Sequence, residues 1–341
     1  MTTTLTVRRL GRGAPQSALA TLAEMRQAEP LDPPITARAT GFTPLDDVLG
    51  GGVRPGELFL VGGKPGVGKT IACLQWARSM ARRGATTIYL CYEHDQVTLL
   101  TRLLSCELGE LAIASGRPYD MRLEELQAQL RDVASGALTL RETLDSDRLL
   151  TEAQRRLAEY GDRLIFFQAS GSSTDIPAIS DLIARYDGEP LALFVDYLQK
   201  VPVIPDVRNE AERVSRVTEG LKELALDRNI SVFAIAAADQ VGLASRRLHL
   251  HHFRGSTALA YEADAVVVMN DKADIVSRVH IVSSPVRLEE FRRQVVFSVE
   301  KNRSGVVGAE LEFTKDFPNY RFEPHGSWVT ERLWSENSIE L

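Results

Sequence analysis

The stretch GGKPGVGKT (62–70) constrains the fold more than any other part of the chain. Gly63, four residues (Lys64, Pro65, Gly66, Val67), then Gly68, Lys69 and Thr70 complete the P-loop spacing, which requires a strand before it and a helix after it. Both flanks comply. ELFLVG (57–62) is an apolar run of strand length, and TIACLQWARSMARR (70–83) repeats apolar residues at helical spacing. Glycines let successive backbone N–H groups turn inward on a phosphate, and the helix N-terminus adds its positive dipole end. Lys69 then neutralises β- and γ-oxygens, and the Thr70 hydroxyl ligates Mg2+. Gly63 through Ile71 is therefore the candidate ATP-binding segment; a ligand-free glycine turn is the competing reading.

A P-loop also needs an acidic partner for the metal at the end of a neighbouring strand. LALFVD (191–196) supplies Asp196 at the carboxyl end of an apolar run, although a solvent-facing aspartate would look the same in isolation. YLCYEHD (89–95) places Glu93 just past the strand that follows the P-loop helix, where it opens on the same crevice of a parallel sheet. Glu93 is the candidate general base for the attacking water, against a plain loop or capping carboxylate.

Strands expected over 86–92, 163–169, 191–197 and 230–237 alternate with helices over 95–108, 175–186 and 209–229, with Asp95 placed to cap the first of these. That alternation predicts an α/β fold with a mostly parallel central sheet. Residues 109–160 read as mostly polar helices. After residue 264 helical spacing stops, and strands are expected at DAVVVM (264–269), RVHIVS (278–283), QVVFSVE (294–300) and AELEF (309–313). Residues 1–16 read as disordered and 17–29 as one helix, which gives an arm over 1–35, a main domain over 36–330 and a tail over 331–341. Such an arm suits docking on a neighbour.

Composition excludes several classes. No stretch approaches the roughly 18 apolar residues of a membrane span, and the amino terminus lacks the apolar run of a signal peptide, so a soluble, cytoplasmic chain is expected. Cys73, Cys91 and Cys106 lie in apolar segments without metal or disulfide spacing and read as buried thiols. A net charge of −6 argues against a wholly basic nucleic-acid binder and leaves room for a local basic lining.

Two basic clusters lie far from the P-loop. In SVEKNRSGVVG (298–308), Lys301 and Arg303 stand at i and i+2 on a strand end and so project to one face, a clamp suited to charge on a transferring phosphoryl group. A solvated hairpin end before Ser304 and Gly305 is the alternative. GLASRRLHLHHFRG (242–255) holds Arg246, Arg247 and Arg254, which can contact backbone phosphates without sequence choice. An ordinary surface loop is the alternative there, and a metal site from His249, His251 and His252 a lesser one, lacking a fourth ligand.

In order and spacing, ATGFTPLDDVLGGGVRPGELFLVGGKPGVGKT, YEHDQVTLLTRLLS, LALFVDYLQKV, AERVSRVTEGLKELA, FRGSTALAYEADAVV and VEKNRSG resemble the RecA-like ATPase domain of DnaB-type hexameric helicases, over about residues 38–325. The resemblance implies a three-layer RecA-like fold with a carboxyl-terminal β extension. It also implies a homo-oligomer, a hexameric ring or a filament, that binds Mg-ATP between subunits and single-stranded DNA in its channel. Lys69 and Thr70 match the P-loop pair, Glu93 the catalytic glutamate and Asp196 the metal-binding aspartate. Lys301 and Arg303 match the cations that reach the γ-phosphate held by the adjacent subunit. Three departures accompany the match. Ala236 and Ala237 stand where the family has Ser-Gln, with Gln240 three residues on; Arg254, Gly255, Ser256 and Thr257 replace Arg-Glu-Ser-Gly; and about 35 residues stand in place of the helical collar of replicative DnaB, so a complete replicative helicase is not expected. A regulatory or assembly ATPase related to RecA and KaiC is the alternative function. A monomeric small-molecule kinase is a minor third, because it leaves Lys301 and Arg303 without a phosphate.

Overall fold

The computed structural model describes residues 17–27, 36–116, 121–145, 147–186, 189, 191–277 and 285–334. The chain divides into two units, Met1–Ala37 and Arg38–Leu341. Within the first, α1 (Ala18–Gln27) exposes Leu19, Leu22 and Met25; residues 1–16 lie outside the described residues.

In the second unit the elements run α2 (Leu45–Val48), β1 (Leu58–Gly63), α3 (Lys69–Arg82), β2 (Thr86–Cys91) and α4 (Gln96–Ala114). A helical group follows, α5 (Met121–Ser135), α6 (Leu140–Asp145) and α7 (Arg148–Ala158). Next come β3 (Leu164–Gln168), α8 (Ile176–Ala184), β4 (Leu191–Asp196), α9 (Glu210–Arg228), β5 (Ser231–Ala236), α10 (Gln240–Ala244) and α11 (Ser256–Glu262). The chain continues through β6 (Ala265–Asp271), α12 (Lys272–Ile275), α13 (Pro285–Arg292), β7 (Gln294–Asn302), β8 (Ala309–Asp316), β9 (Arg321–Phe322) and β10 (Ser327–Trp328).

Among the described residues the strands form one ten-stranded sheet in the order β10-β8-β7-β6-β1-β5-β4-β2-β3, with β9 paired to β8. The six strands from β6 to β3 are parallel, and β7 to β10 add an antiparallel extension. Parallel strands covered on both faces are continuously apolar, and β1 shows why: Leu58 and Leu60 enter the core on one face, Phe59 and Val61 the core on the other. β1 has β5 on one side and β6 on the other, so its carboxyl end opens on the crevice where ligands bind in such sheets. No helix is long and apolar enough to cross a membrane, among the described residues.

Helix starts follow side-chain chemistry. Asp95 accepts the Thr98 N–H at 2.7 Å, Asp175 that of Ala178 at 3.0 Å and Asn209 that of Ala211 at 2.9 Å, caps worth about 1 kcal/mol each. α4 runs six residues beyond the expected end at Leu108, because its leucines pack on α5 and α7 in a core of their own built from Leu104, Leu108, Leu126, Leu130 and Leu150.

The expectation that helices stop after residue 264 is corrected by α12 and α13. α12 is too short for periodicity to reveal. It forms around Lys272, which is buried between Glu312 and Glu331 with its ammonium 4.7 Å from the centre of the Phe291 ring. In α13 only Leu288 and Phe291 stand at helical spacing. The RVHIVS segment lies outside the described residues. Within the segment read as a tail, Leu333 bridges Val276 and Trp334 packs on Arg246, whereas residues 335–341 lie outside the described residues.

Candidate functional site

The P-loop turns off the carboxyl end of β1 into α3. Gly66 and Gly68 adopt φ of +82° and +102°, which glycine reaches without cost and which turns backbone N–H groups inward. Lys69 folds back over the loop, donating to the carbonyls of Gly63 at 2.8 Å and Lys64 at 2.9 Å. Burial holds its ammonium below the usual lysine range, against the pull of Asp196 and Glu93. Lys64 donates to the carbonyl of Ser245, which ties the P-loop to the basic loop, and Ile71 packs against the core from the first turn of α3.

Asp196 ends β4 almost fully buried, accepting the Tyr89 hydroxyl at 2.9 Å and bonded to the Thr70 side chain. Burial raises its carboxyl above the usual range, and the bonds from Thr70 and Tyr89 oppose that rise. A buried carboxylate bonded to a P-loop threonine is the donor set a hard, oxygen-seeking cation requires, so these residues fit Mg2+. Glu93, just beyond β2, is exposed at the mouth of the same cavity.

That cavity is about 420 Å3 in volume. Gly66, Gly68 to Ile71 and Asp196 line it together with Glu93, which brings together most of the residues expected to bind and hydrolyse a nucleotide. The wall formed by Arg102, Phe317 and Tyr320 is not apparent from local sequence. Arg102 lies 5.5 Å from the centre of the Tyr320 ring, and Tyr320 takes a left-handed φ of +47°. Two amide bridges hold this wall in place. Gln75 on α3 bonds both backbone groups of Phe322 at 2.9 Å, and Gln127 on α5 donates to Asn319 at 2.6 Å. Asn319 reaches α4 only because residue 109 is glycine, where a β-carbon would stand 2.6 Å away.

A profile of the DnaB-like helicase C-terminal domain matches residues 38–322. The chain belongs to this DnaB-like helicase family. The replicative DNA helicase DnaB of Treponema pallidum (strain Nichols) is 25% identical over 291 residues, covering 83% of this chain and 55% of that protein. The DNA repair protein RadA of Campylobacter jejuni is 25% identical over 287 residues, covering 83% of this chain and 62% of that one. The chain thus spans about half the length of the curated relatives it matches. Among solved structures, an ATPase domain aligns with a TM-score of 0.65 at 18% identity, over 89% of this chain and 95% of that one. A DnaB-like replicative helicase described with its interactions with primase also gives a TM-score of 0.65, at 17% identity, over 90% of this chain and 67% of that one. The fold is that of the RecA-like DnaB ATPase domains.

At the places where this chain departs from the DnaB-like pattern, Ala237 lines the cavity and its N–H is taken by Gln199 Oε1 at 3.0 Å. Gln240 opens α10 exposed and outside the cavity lining. Gly255 has φ +73° and packs on Val214, with room for no side chain: a β-carbon would meet Val214 Cγ1 at 2.4 Å.

The three loop arginines are not brought together. Arg254 is half-exposed, pairs with Glu210 at 3.1 Å, and faces a cleft of about 730 Å3 lined also by Lys200 and Arg213. Arg246 lies 5.7 Å from the centre of the Trp334 ring and donates to the carbonyls of Asp274 and Val276. Arg247 is buried and bonded to Glu310 and Ser298, so it anchors the loop to the antiparallel extension and does not face the cleft. His252 accepts the backbone N–H of His249 through Nδ1, His249 Nδ1 meets Glu300 at 2.6 Å, and among the described residues no three metal-ligating side chains are placed to hold a metal ion.

Lys301 and Arg303 do fall on one face. Lys301 Nζ lies 3.2 Å and Arg303 Nη2 2.6 Å from the same carbonyl oxygen, that of Tyr261 at the end of α11.

Proposed function

We propose that this chain is an ATP-driven motor of the helicase type, which hydrolyses Mg-ATP at sites shared between copies and moves along single-stranded DNA. The carrying observation is where Lys301 and Arg303 lie. Lys301 pairs across the sheet with Val266, at the start of β6, whereas Gly63 pairs with Met269 three residues further along the same strand. Three residues span about 10 Å, and the P-loop continues away from that end. The two cations therefore stand at the opposite end of the parallel strands from the phosphate loop of their own chain, which supports their serving a phosphate held by another copy.

In this reading the P-loop amides and Lys69 bind the β- and γ-phosphates, Lys69 leaving the carbonyls of Gly63 and Lys64. Arg102 and Tyr320 supply a flat, cationic wall suited to a heterocyclic base. Thr70 and Asp196 would hold Mg2+, which when bound would supply charge that neutralises the phosphates. Glu93 orients the attacking water and takes its proton. Arg303 and Lys301 stabilise charge on the phosphoryl group of the adjoining copy, arranged as a hexameric ring or a filament in the cytoplasm. Arg254, with Lys200 and Arg213 lining its cleft, contacts the DNA backbone, and the buried Arg247 serves that surface by fixing the loop.

The experiment is steady-state ATP turnover titrated with a single-stranded oligonucleotide. Arg254→Ala is expected to lose the rise in turnover that DNA produces in the parent protein. Full retention of that rise would favour a regulatory or assembly ATPase whose output is a change of conformation without translocation.

A further inference from the structure

Asp264, between α11 and β6, is 8% exposed and has two differently used oxygens. Oδ2 accepts the backbone N–H of Leu58, the first residue of β1, at 2.8 Å and the Lys222 ammonium at 2.6 Å. Lys222 in turn donates to the Gly56 carbonyl at 2.8 Å, so this oxygen is fastened to the central strand and to α9 together. Oδ1 accepts from Arg303 Nη1 at 3.1 Å, while the Asp264 carbonyl accepts the Arg303 backbone N–H at 2.8 Å. The guanidinium it holds is about half exposed, and two of its five N–H donors are engaged, one on Asp264 and one on the Tyr261 carbonyl. A rigid carboxylate thus grips the inner edge of an arginine whose outer edge faces away from the chain.

We propose that Asp264 is the positioning residue of Arg303, fixing the guanidinium so that its free edge is presented to a phosphate on a neighbouring copy. The inference rests on the shared-site reading above. An arginine on a flexible stem gives up rotamer freedom whenever it engages a phosphate, and a partner that orders it beforehand removes that cost from the reacting state. Asp264 also offsets repulsion within the cation pair. Burial and the adjacent Arg303 push the Lys301 ammonium below the usual lysine range, and Asp264 pulls in the opposite direction.

The test is a double-mutant cycle on ATP turnover with Asp264→Asn, Arg303→Ala and the two together, with nucleotide affinity and thermal melting measured on each protein. Asp264→Asn is expected to lower kcat by roughly 10- to 100-fold, the scale of a misplaced catalytic group, with ATP affinity within about twofold of the parent. In the Arg303→Ala background the same change should cost nothing further, because its effect passes through the arginine. An equal loss in both backgrounds, or parental turnover in Asp264→Asn, would overturn the inference. If Asp264→Asn does not fold, Lys222→Met, which loosens the same carboxylate from the α9 side, takes its place in the cycle with a several-fold loss expected and the same two contrary outcomes. Parental turnover in Arg303→Ala would instead overturn the shared-site reading, and the inference with it.

Discussion

The ring of Phe253 fills the space a side chain on Gly62 would need: a β-carbon on Gly62 would stand 1.7 Å from Phe253 Cζ. Phe253 is buried, and it belongs to the loop that carries Arg246, Arg247 and Arg254, while Gly62 is the next-to-last residue of the strand that becomes the P-loop. The loop read as contacting DNA is therefore seated on the root of the nucleotide site, and the bond from Lys64 to Ser245 repeats the connection on the other side.

Gly62→Ala is the direct probe of that seating. The overlap is too deep for a small shift, so the phenyl ring must leave its place. The expected cost is about 2–4 kcal/mol, between an overpacking penalty and the loss of a buried phenyl, read as a lower denaturant midpoint with an unchanged slope. Stability equal to that of the parent protein would contradict the packing.

Glu93→Gln separates binding from hydrolysis. The carboxylate is exposed and is not among the P-loop groups read as holding the phosphates, so nucleotide affinity should stay near the parental value. Turnover should fall about 10²- to 10⁴-fold, the range for removal of a general base. Equilibrium nucleotide titration beside a turnover assay checks this, and a parallel loss of affinity and turnover would move Glu93 out of the base role.

Arg78 on α3 is the buried link to the α4–α7 helices. It meets Glu107 at 2.5 and 2.8 Å and Glu110 at 2.8 and 2.7 Å, with the Tyr160 hydroxyl also bonded to Glu107. Arg78→Met strands two carboxylates and should destabilise the protein by about 3–5 kcal/mol at neutral pH. Burial raises the Glu110 carboxyl, but the Arg78 guanidinium outweighs it and holds the group below its ordinary 4.5. A depressed folded-state value stabilises the protein above about pH 4.5 and ceases to do so as the pH falls through the lowered value. Urea melts at pH 7 and in the acid range should show the gap between parent and variant narrowing as Glu110 protonates. A constant gap would contradict the assignment.

The parallel sheet, the P-loop and Asp196 are legible in the sequence because each rests on local pattern: an apolar run, a fixed glycine spacing, a carboxylate at a strand end. The Arg102–Tyr320 wall is not, since it joins two segments more than 200 residues apart through Asn319 and a glycine at 109 that admits it. Arg247 illustrates the converse. A loop arginine reads as solvated, and only the arrival of Glu310 and Ser298 from the antiparallel extension turns it inward. α12 and α13 escape a reading by periodicity for the same reason, their helicity being secured by tertiary contacts such as that of Lys272 with Phe291.

The central claim is that one chain's phosphate is completed by another chain's Arg303, and mixing subunits tests it most directly. Arg303→Ala, which keeps its P-loop, is mixed in equal amounts with Lys69→Ala, which keeps its Arg303, and ATP turnover of the mixture is compared with that of each variant alone. A shared site predicts that turnover reappears, up to about a quarter of the parental value with random assembly, because an intact P-loop on one variant meets an intact Arg303 on the other. A mixture no more active than its two components would contradict the account.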